Sequence, residues 1–367
     1  MRSTQLQVRI GIPVTGGRLV AAAKERGFPV LFSANAFART YSKGHEREGD
    51  FRSFRRPDPQ QLAGLDVALD SAGFVAAVRY GEYRWSVSDY LDLVESGEWT
   101  WWASMDLCCE PAIAADRPLR LLRIAGTARK LAECRDEAAR RGAPAPMPVL
   151  QGWSAAEYAL CADWLPLTEW PALVGIGSVC RRALHGPDGL LSILDSVDRI
   201  LPPHVRLHLF GVKSAALSLL ANHPRVASVD SMAWDFQARA ARRTGRDIEF
   251  RVGHMERWAK KQFRVAQAMP GTTGVQSMLF DPCVFNGFTD LESLALEALT
   301  LRHADLLMSG DIEYLDAVSQ VAQDGATVIA LLRQRGLTDA TLAAFDELIF
   351  GLAEETEELL SRQRSPW

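Results

Sequence analysis

Three carboxylates and one amide each close a short apolar run of this chain, and such groups can transfer protons or attack an electrophilic carbon. In the stretch DVALDSAGF (66–74), the acid ends the run and small residues follow, which lets the backbone approach a ligand closely. The residues that close the runs are Asp70, Asp106, Gln151, Gly177, Gly211 and Asp230. Any one of them alone is typical of an ordinary turn, so their convergence would be the informative observation.

Seven apolar runs alternate with helical patterns, which favours a parallel sheet covered by helices. The runs span residues 29–34, 65–70, 101–106, 147–152, 172–178, 205–211 and 226–230. Units of this kind predict an α/β fold of the (β/α)8 TIM-like barrel type, with an eighth strand that the sequence marks only weakly. The carboxyl ends of barrel strands meet at one face, so the strand-end residues would share one site.

Two segments predict additions to the barrel. Residues 232–288 are basic and irregular, and we interpret them as an insertion late in the barrel. Residues 289–367 have a helical pattern. We therefore predict a catalytic domain over residues 1–288 and a helical C-terminal segment over residues 289–367, which packs on the barrel or completes it.

The composition indicates a large globular protein. A chain of 367 residues with 48% hydrophobic content can bury a sizeable core. No run approaches the ~20 apolar residues of a membrane span, and the N-terminus lacks the apolar core of a secretory signal. The six cysteines show no C-x-x-C pair, so we expect reduced thiols, no metal and a cytoplasmic location. The oligomeric state, a homodimer included, is left open.

A net charge of −4 gives no global reason to bind a polyanion, so nucleic-acid binding would depend on local clusters. One cluster, interleaved with phenylalanines in a predicted loop, contains Arg52, Arg55 and Arg56. The other follows the last apolar run and contains Arg239, Arg242 and Arg243. Arginine runs often form only a solvated face, but here both could flank one barrel mouth and hold a nucleic-acid backbone.

Five motifs resemble those of the tRNA-guanine transglycosylase superfamily, in the order in which that superfamily has them. They are DSAGF (70–74), LQG (150–152), LVGIGS (173–178), LHLFGV (207–212) and SVDSMAW (228–234). The tRNA enzymes usually carry a C-x-C-x-x-C and distant-His zinc site after the barrel, and no such spacing occurs here. Lacking that zinc subdomain, the chain is most similar to the DNA-modifying branch, the deazapurine DNA modification proteins called DpdA.

The resemblance implies a pentosyltransferase that exchanges guanine for a 7-deazaguanine base in DNA, without a cofactor. The transition state at an anomeric carbon resembles an oxocarbenium ion, which a carboxylate can stabilise or capture. Asp230 would be this nucleophile and would form a covalent glycosyl-aspartate. Asp70 would give a proton to the leaving base and take one from the incoming base.

The same resemblance implies a set of base-binding residues. Asp106 would accept from the amidine edge of the base, while Gln151 and the backbone N–H of Gly177 would donate to its carbonyl. The base would lie between two aromatic rings after leaving its stack. The remaining members of the set are Phe74, Phe210, Gly175 and Gly211.

Three other functions stay open at this point. A tRNA-guanine transglycosylase of the queuine or archaeosine type would use the same residues on tRNA. A barrel glycosidase would use Asp70 and Asp230 with water and would not need Gln151, and the aromatic run around Trp101 favours it. A catalytically idle nucleic-acid-binding barrel would keep the arginines without needing both acids.

Overall fold

Eight parallel strands form one curled sheet in the computed structural model, which describes residues 6–180, 182–241, 247–267 and 291–334. The strands are β1 (Gln7–Gly11), β2 (Val30–Ser33), β3 (Ala38–Thr40), β4 (Phe51–Phe54), β5 (Val67–Asp70), β6 (Trp101–Trp102), β7 (Val149–Leu150), β8 (Leu173–Ile176), β9 (Arg206–Leu209) and β10 (Val226–Ser231). The sheet order is β6-β5-β2-β1-β10-β9-β8-β7, and β3 and β4 form a separate antiparallel hairpin.

The two strands at the ends of this order, β6 and β7, are linked by a parallel bridge between Ala103 and Met147. The Ser104 N–H donates to the Met147 carbonyl at 2.9 Å, and the Met147 N–H donates to the Trp102 carbonyl at 2.8 Å. A sheet that curls far enough to bring its outer strands together is compatible with the predicted TIM-like fold.

Each of the seven predicted runs overlaps one strand of the sheet, and β1 supplies the eighth. The sequence marks β1 weakly because Arg9 interrupts its apolar pattern. In the structure Arg9 is buried, pairs with Asp66 at 2.9 Å and lies over the Trp101 ring. This ion pair compensates the charge inside the sheet, as a buried guanidinium requires.

The helices are α1 (Arg18–Glu25), α2 (Pro59–Leu62), α3 (Gly73–Tyr80), α4 (Val87–Glu95), α5 (Arg117–Arg141), α6 (Ala155–Trp164), α7 (Leu190–Ile200), α8 (Leu217–Leu220), α9 (Ala233–Ala241), α10 (Ile248–Gln267), α11 (Leu291–Ser309) and α12 (Tyr314–Gln334). Helices α4 and α6 begin with capping boxes, in which Ser86 pairs with Asp89 and Ser154 with Glu157. Helix α6 packs against β7, and Tyr90 of α4 donates to the Ala103 carbonyl just after β6 at 2.9 Å.

The prediction of an irregular insertion over residues 232–288 is wrong for the part that the structure describes. Residues 233–241 and 248–267 are helices α9 and α10, and α10 packs against β1 and α1. Its buried positions, Val252, Met255, Trp258, Ala259 and Gln262, follow the helical period. Basic residues between them obscure this period in the sequence. Likewise, the arginine-rich segment predicted as a loop contains β4.

The contacts divide the chain into two units, residues 1–113 with 127–270 and residues 114–126 with 271–367. In the second unit α11 packs against α12, and Arg117 pairs with Glu297 at 2.8 Å. The predicted domain boundary between residues 288 and 289 lies outside the described residues. No helix within the described ranges is both long and apolar enough to cross a bilayer.

Candidate active site

A cavity of about 180 Å³ lies where the parallel strands end. Eight of the nine residues predicted as catalytic or base-binding line it: Asp70, Phe74, Asp106, Gln151, Gly177, Phe210, Gly211 and Asp230. The parallel order of the sheet explains this convergence, because the carboxyl ends of all eight strands point to the same side.

The chain turns sharply after β5, and the turn depends on small residues. Ala72 adopts a left-handed conformation with φ of 71°, and its N–H donates to Asp70 Oδ2 at 3.1 Å. A Cβ on Gly73 would lie 2.6 Å from the Asp106 carbonyl oxygen, so a larger residue would separate the two strand ends. The small residues of DSAGF therefore bring the ends of β5 and β6 together.

Burial raises the pKa of Asp70 to about 8, and the nearby charges of Asp106 and Asp230 add to the effect. The hydrogen bond from Ala72 acts in the opposite direction but is the weaker influence. Asp70 is therefore protonated at neutral pH. A carboxyl group in this state can donate a proton to a leaving group, and its pKa near 8 also allows it to take one back.

A hydrogen-bonded row joins residues that follow β5, β6, β7 and β8. Ser71 Oγ donates to Asp106 Oδ1 at 2.8 Å, and Gln151 Nε2 donates to Asp106 Oδ2. Ser178 Oγ lies 2.6 Å from Gln151 Oε1, to which it donates. Asp106, Gln151 and Ser178 are all buried, so the row presents fixed polar groups in a largely water-free site.

The predicted role of the Gly177 N–H is wrong. This N–H donates to the Leu150 carbonyl at 2.9 Å as part of the pairing of β8 with β7, so it is already engaged. Gly177 contributes space instead, because a Cβ there would collide with the amide group of Gln151. The glycine thus allows Gln151 to reach Asp106.

Asp230 is the penultimate residue of β10 and is held by the residues that follow the adjacent strand β9. The Gly211 N–H donates to Asp230 Oδ1 at 2.8 Å. Gly211 has a φ of 67°, and a Cβ there would lie 2.7 Å from the Cβ of Cys180, so only glycine fits without strain. Beneath it, Nε2 of the fully buried His208 lies 3.5 Å from Asp230 Oδ1, while His208 Nδ1 contacts Ser228 Oγ at 2.8 Å.

The two predicted stacking residues line the cavity and are half-buried. Phe210 packs edge-on against the His208 ring, with centroids 4.6 Å apart. Gly175, the ninth predicted residue, does not line the cavity but lies behind Phe210, and a Cβ there would be 2.6 Å from that ring. Gly175 therefore makes room for the aromatic wall.

Comparison with known families identifies the chain. Residues 50–276 match the family DpdA, described as DeoxyPurine in DNA protein A, and this range is more than half of the 367 residues. The chain belongs to the DpdA family. All nine predicted catalytic and base-binding residues lie within the matched range, and the resemblance seen in the sequence is confirmed. A search of curated proteins found no match.

The sequence reasoning missed six cavity residues of this DpdA-family chain. Two of them, Leu31 and Gly73, carry no polar side chain, and four carry a polar or thiol side chain: Cys108, Glu110, Ser178 and Cys180. These four lie one to four residues after Asp106 or Gly177, and the prediction included only these closing residues of the two runs. The motifs DLCCE and GSVC contain them, so polar residues just past the strand ends were the available signal. Ser178 also has a φ of 55°, which turns its backbone around the cavity.

The predicted backbone-binding arginines of this DpdA-family chain lie on separate exposed elements. Arg52 is on β4, and Arg55 and Arg56 follow it; within the part of the chain that the structure describes, none of the three pairs with a carboxylate. Arg239 is exposed on α9 and pairs with Asp235 at 3.0 Å. Arg242 and Arg243 lie outside the described residues.

Proposed function

We propose that this chain exchanges guanine in DNA for a 7-deazaguanine base through a covalent glycosyl-aspartate intermediate. The observation that carries the proposal is that Asp70 and Asp230 share one cavity with the Asp106–Gln151 pair. The first two residues have the chemistry for breaking a glycosidic bond, and the second two have the chemistry for reading a guanine edge. We also infer that the bridged sheet is a closed (β/α)8 barrel, since β6 and β7 are hydrogen bonded.

The reaction then has two balanced steps. In the first, Asp230 Oδ forms a bond to the sugar C1′ as the bond from C1′ to guanine N9 breaks, and guanine takes the proton of Asp70. In the second, the incoming base gives its N9 proton to the Asp70 carboxylate and attacks C1′, which releases Asp230. The raised pKa of Asp70 suits both steps, because the group is protonated at the start and a competent base once ionised.

Base reading would use the same polar row. Asp106 Oδ1 accepts from Ser71 and Oδ2 accepts from Gln151, and because a carboxylate oxygen can accept more than one hydrogen bond, Asp106 can also face the N1–H and the exocyclic amine of a guanine. Gln151 uses one of its two amide hydrogens on Asp106 and can donate the other to O6. Phe74 and Phe210 supply apolar walls for the flat ring.

The alternatives differ in how much support they retain. The tryptophans that favoured a glycosidase do not line the cavity: Trp102 is buried, and Trp101 packs against the His208 ring at 4.7 Å. The family description refers to deoxypurines in DNA, which supports DNA over tRNA as the substrate. A barrel that only binds nucleic acid would not need both Asp70 and Asp230, so their presence in one cavity is evidence against that function.

One experiment separates these functions. The protein is incubated with duplex DNA, single-stranded DNA and tRNA, each carrying labelled guanine, and release of label is measured with and without added 7-deazaguanine bases. We expect release from DNA that depends on the added base, and none from the matched variant Asp230→Asn. Base-dependent release from tRNA alone would support the tRNA enzyme. Cleavage of sugar substrates without any base exchange would support the glycosidase.

A further inference from the structure

The imidazole of His208 is fully buried beneath the nucleophile, and the proposed reaction gives it no role. His208 lies on β9 opposite Ser228 of β10, and Asp230 follows two residues later on the same face of β10. His208 Nε2 lies 3.5 Å from Asp230 Oδ1, about 0.6 Å beyond the usual N–H···O distance, and makes no hydrogen bond with the described residues. A buried polar atom without a partner is unfavourable, and a hydrogen bond formed during the reaction would satisfy it.

The neighbours of His208 determine which ring nitrogen carries its proton. Burial lowers the pKa of this imidazole, so at neutral pH the ring holds a single proton. Nδ1 lies 2.8 Å from Ser228 Oγ, a hydroxyl that can either donate or accept. The ionised Asp230 carboxylate that faces Nε2 can only accept. Both sides are satisfied when Ser228 donates to Nδ1 and the proton is on Nε2, directed at Asp230.

Two aromatic rings hold the imidazole in this orientation. The Trp101 ring packs against it with centroids 4.7 Å apart, and Phe210, which lines the cavity, packs edge-on at 4.6 Å. In the described part of the chain, His208 is the one basic side chain within 4.0 Å of the Asp230 carboxylate. The ring is therefore fixed as the side-chain donor available to the nucleophile.

Two donors face the same oxygen of Asp230. The Gly211 N–H donates to Oδ1 at 2.8 Å, and His208 Nε2 faces Oδ1 as well. In a glycosyl ester formed through Oδ2, Oδ1 becomes an uncharged carbonyl oxygen, which accepts hydrogen bonds more weakly than a carboxylate oxygen does. A donor at Oδ1 therefore stabilises the free carboxylate more than the ester.

We propose that His208 is a positioning residue that acts through Asp230: its Nε2–H donates to Oδ1, leaves Oδ2 to bond the sugar, and favours release of the sugar from the covalent intermediate. The proposal rests on the proposed base exchange and concerns its second step. There the incoming base gives its N9 proton to Asp70 and bonds to C1′, while the bond from C1′ to Oδ2 breaks and its electron pair returns to the carboxylate. The imidazole neither gains nor loses a proton.

The test follows the formation and the decay of the covalent adduct separately in the full-length protein. His208→Phe keeps a flat ring but removes the donor, and His208→Gln restores an N–H. The control His204→Phe makes the same change at an exposed histidine that precedes β9, at the end of the strand opposite the cavity. Adduct with labelled DNA is trapped by denaturation, and its decay is timed after 7-deazaguanine is added. Thermal unfolding of each variant verifies folding.

In His208→Phe the adduct should decay about 10- to 100-fold more slowly than in wild type, the usual effect of losing a hydrogen bond to a charged group. A larger share of the protein should then be held as adduct during turnover. His208→Gln should recover part of the decay rate, and His204→Phe should match wild type. A role in packing alone would instead misplace Asp230 and reduce the amount of adduct.

Three results overturn the inference: adduct decay at the wild-type rate in His208→Phe, less adduct in that variant than in wild type, or no recovery in His208→Gln. Nitrogen-15 NMR of the histidine rings tests the contact without turnover and without a folded variant at this position. A neutral His208 ring with its proton on Nε2 is expected in wild type. A proton on Nδ1 overturns the inference.

The proposed function fails in a different way. If the proton of His208 is on Nε2 but neither adduct nor base exchange occurs with DNA, base exchange is wrong and the release step with it, while the donor contact to Asp230 stands. If bases are exchanged in DNA but the proton lies on Nδ1, or adduct decay does not depend on His208, exchange stands and the role of His208 is wrong.

Discussion

The ends of β5 and β10 carry the same residue type in two different environments. Asp70, the last residue of β5, accepts the Ala72 N–H, and burial together with the charges of Asp106 and Asp230 raises its pKa to about 8. Asp230, near the end of β10, accepts the Gly211 N–H from the neighbouring strand, with the His208 ring beneath it. The burial of His208 lowers the pKa of this imidazole, so it stays neutral at physiological pH.

The different environments of Asp70 and Asp230 show how two identical side chains in one cavity can have different roles. The Asp70 carboxyl keeps its proton at neutral pH and can act as an acid. The Asp230 carboxyl is fixed in direction by a backbone donor across strands, which suits a group that must reach one carbon atom. Substitutions at the two strand ends, and the pH dependence that Asp70 confers, test whether the two ends differ in this way.

Loss of the nucleophile should have the largest effect. Asp230→Ala should abolish base exchange and any protein–DNA adduct that survives denaturation, because the proposed covalent intermediate forms on this carboxylate. Adducts are measured by denaturing gel electrophoresis with labelled DNA. The exposed Asp163→Asn is the control and should keep both signals. An adduct that persists in Asp230→Ala would remove Asp230 from this role.

Loss of the proton donor should have a smaller effect. Asp70→Asn should slow exchange by roughly 10²- to 10⁴-fold, the usual contribution of a general acid or base. In wild type the rate of the first step should fall as pH rises through about 8, since Asp70 then loses its proton, and this alkaline fall should be absent in the variant. Wild-type turnover in Asp70→Asn would show that DSAGF is only a turn.

Replacing Gly211, whose N–H donates to Asp230, tests the environment at the end of β10. Gly211→Ala forces an L-residue to a φ of 67° and places its Cβ against Cys180, so the carboxylate should shift and adduct formation should slow by about tenfold or more. The control is Gly44→Ala, which has a similar φ of 87° but no neighbour within 4 Å. Equal rates in both variants would mean that the position of Gly211 does not matter to Asp230.

The raised pKa of Asp70 also predicts a pH dependence of stability. The folded protein retains this proton up to about pH 8, whereas the unfolded chain releases it near pH 4, so this group makes the protein less stable as pH rises between these values. Asp70→Asn removes the effect. The melting temperature of the variant relative to wild type should therefore increase from pH 5 to pH 8, measured by calorimetry. A constant difference would contradict the raised pKa.

The smallest effect is expected for the exposed arginines, whose replacement should not alter the chemistry at either strand end. Replacing Arg55 and Arg56 together with alanine should weaken DNA binding and reduce its salt dependence by about one unit of slope per lost phosphate contact. Exchange on a nucleoside-like substrate should not change. Arg140→Ala, at an exposed arginine paired with Glu137, is the control. An unaltered salt slope, or tighter binding of tRNA than DNA by wild type, would contradict the assignment.

The sequence by itself determined the approximate positions of seven strands and the order of the site residues, although β6 ends at Trp102, four residues before Asp106. Short apolar runs that end in Asp70, Asp106, Gln151 or Asp230 are local patterns, and parallel strands necessarily bring their carboxyl ends to one side. For the same reason the family could be recognised from five short motifs. The burial of such a run can be predicted from its own apolar residues, without knowing which distant residues pack against it.

Only the tertiary structure decided the features that depend on residues far apart in the chain. The structure shows that β1 is a strand of the sheet in which Asp66 pairs with the buried Arg9. It also shows that α10 has an apolar face, which packs on β1 and α1. The Gly177 N–H proved to be engaged in the sheet, and Glu110 entered the cavity through contacts with Ser178 and Cys180. The high pKa of Asp70 has the same origin, because burial and neighbouring charges from β6 and β10 are long-range properties that no local pattern encodes.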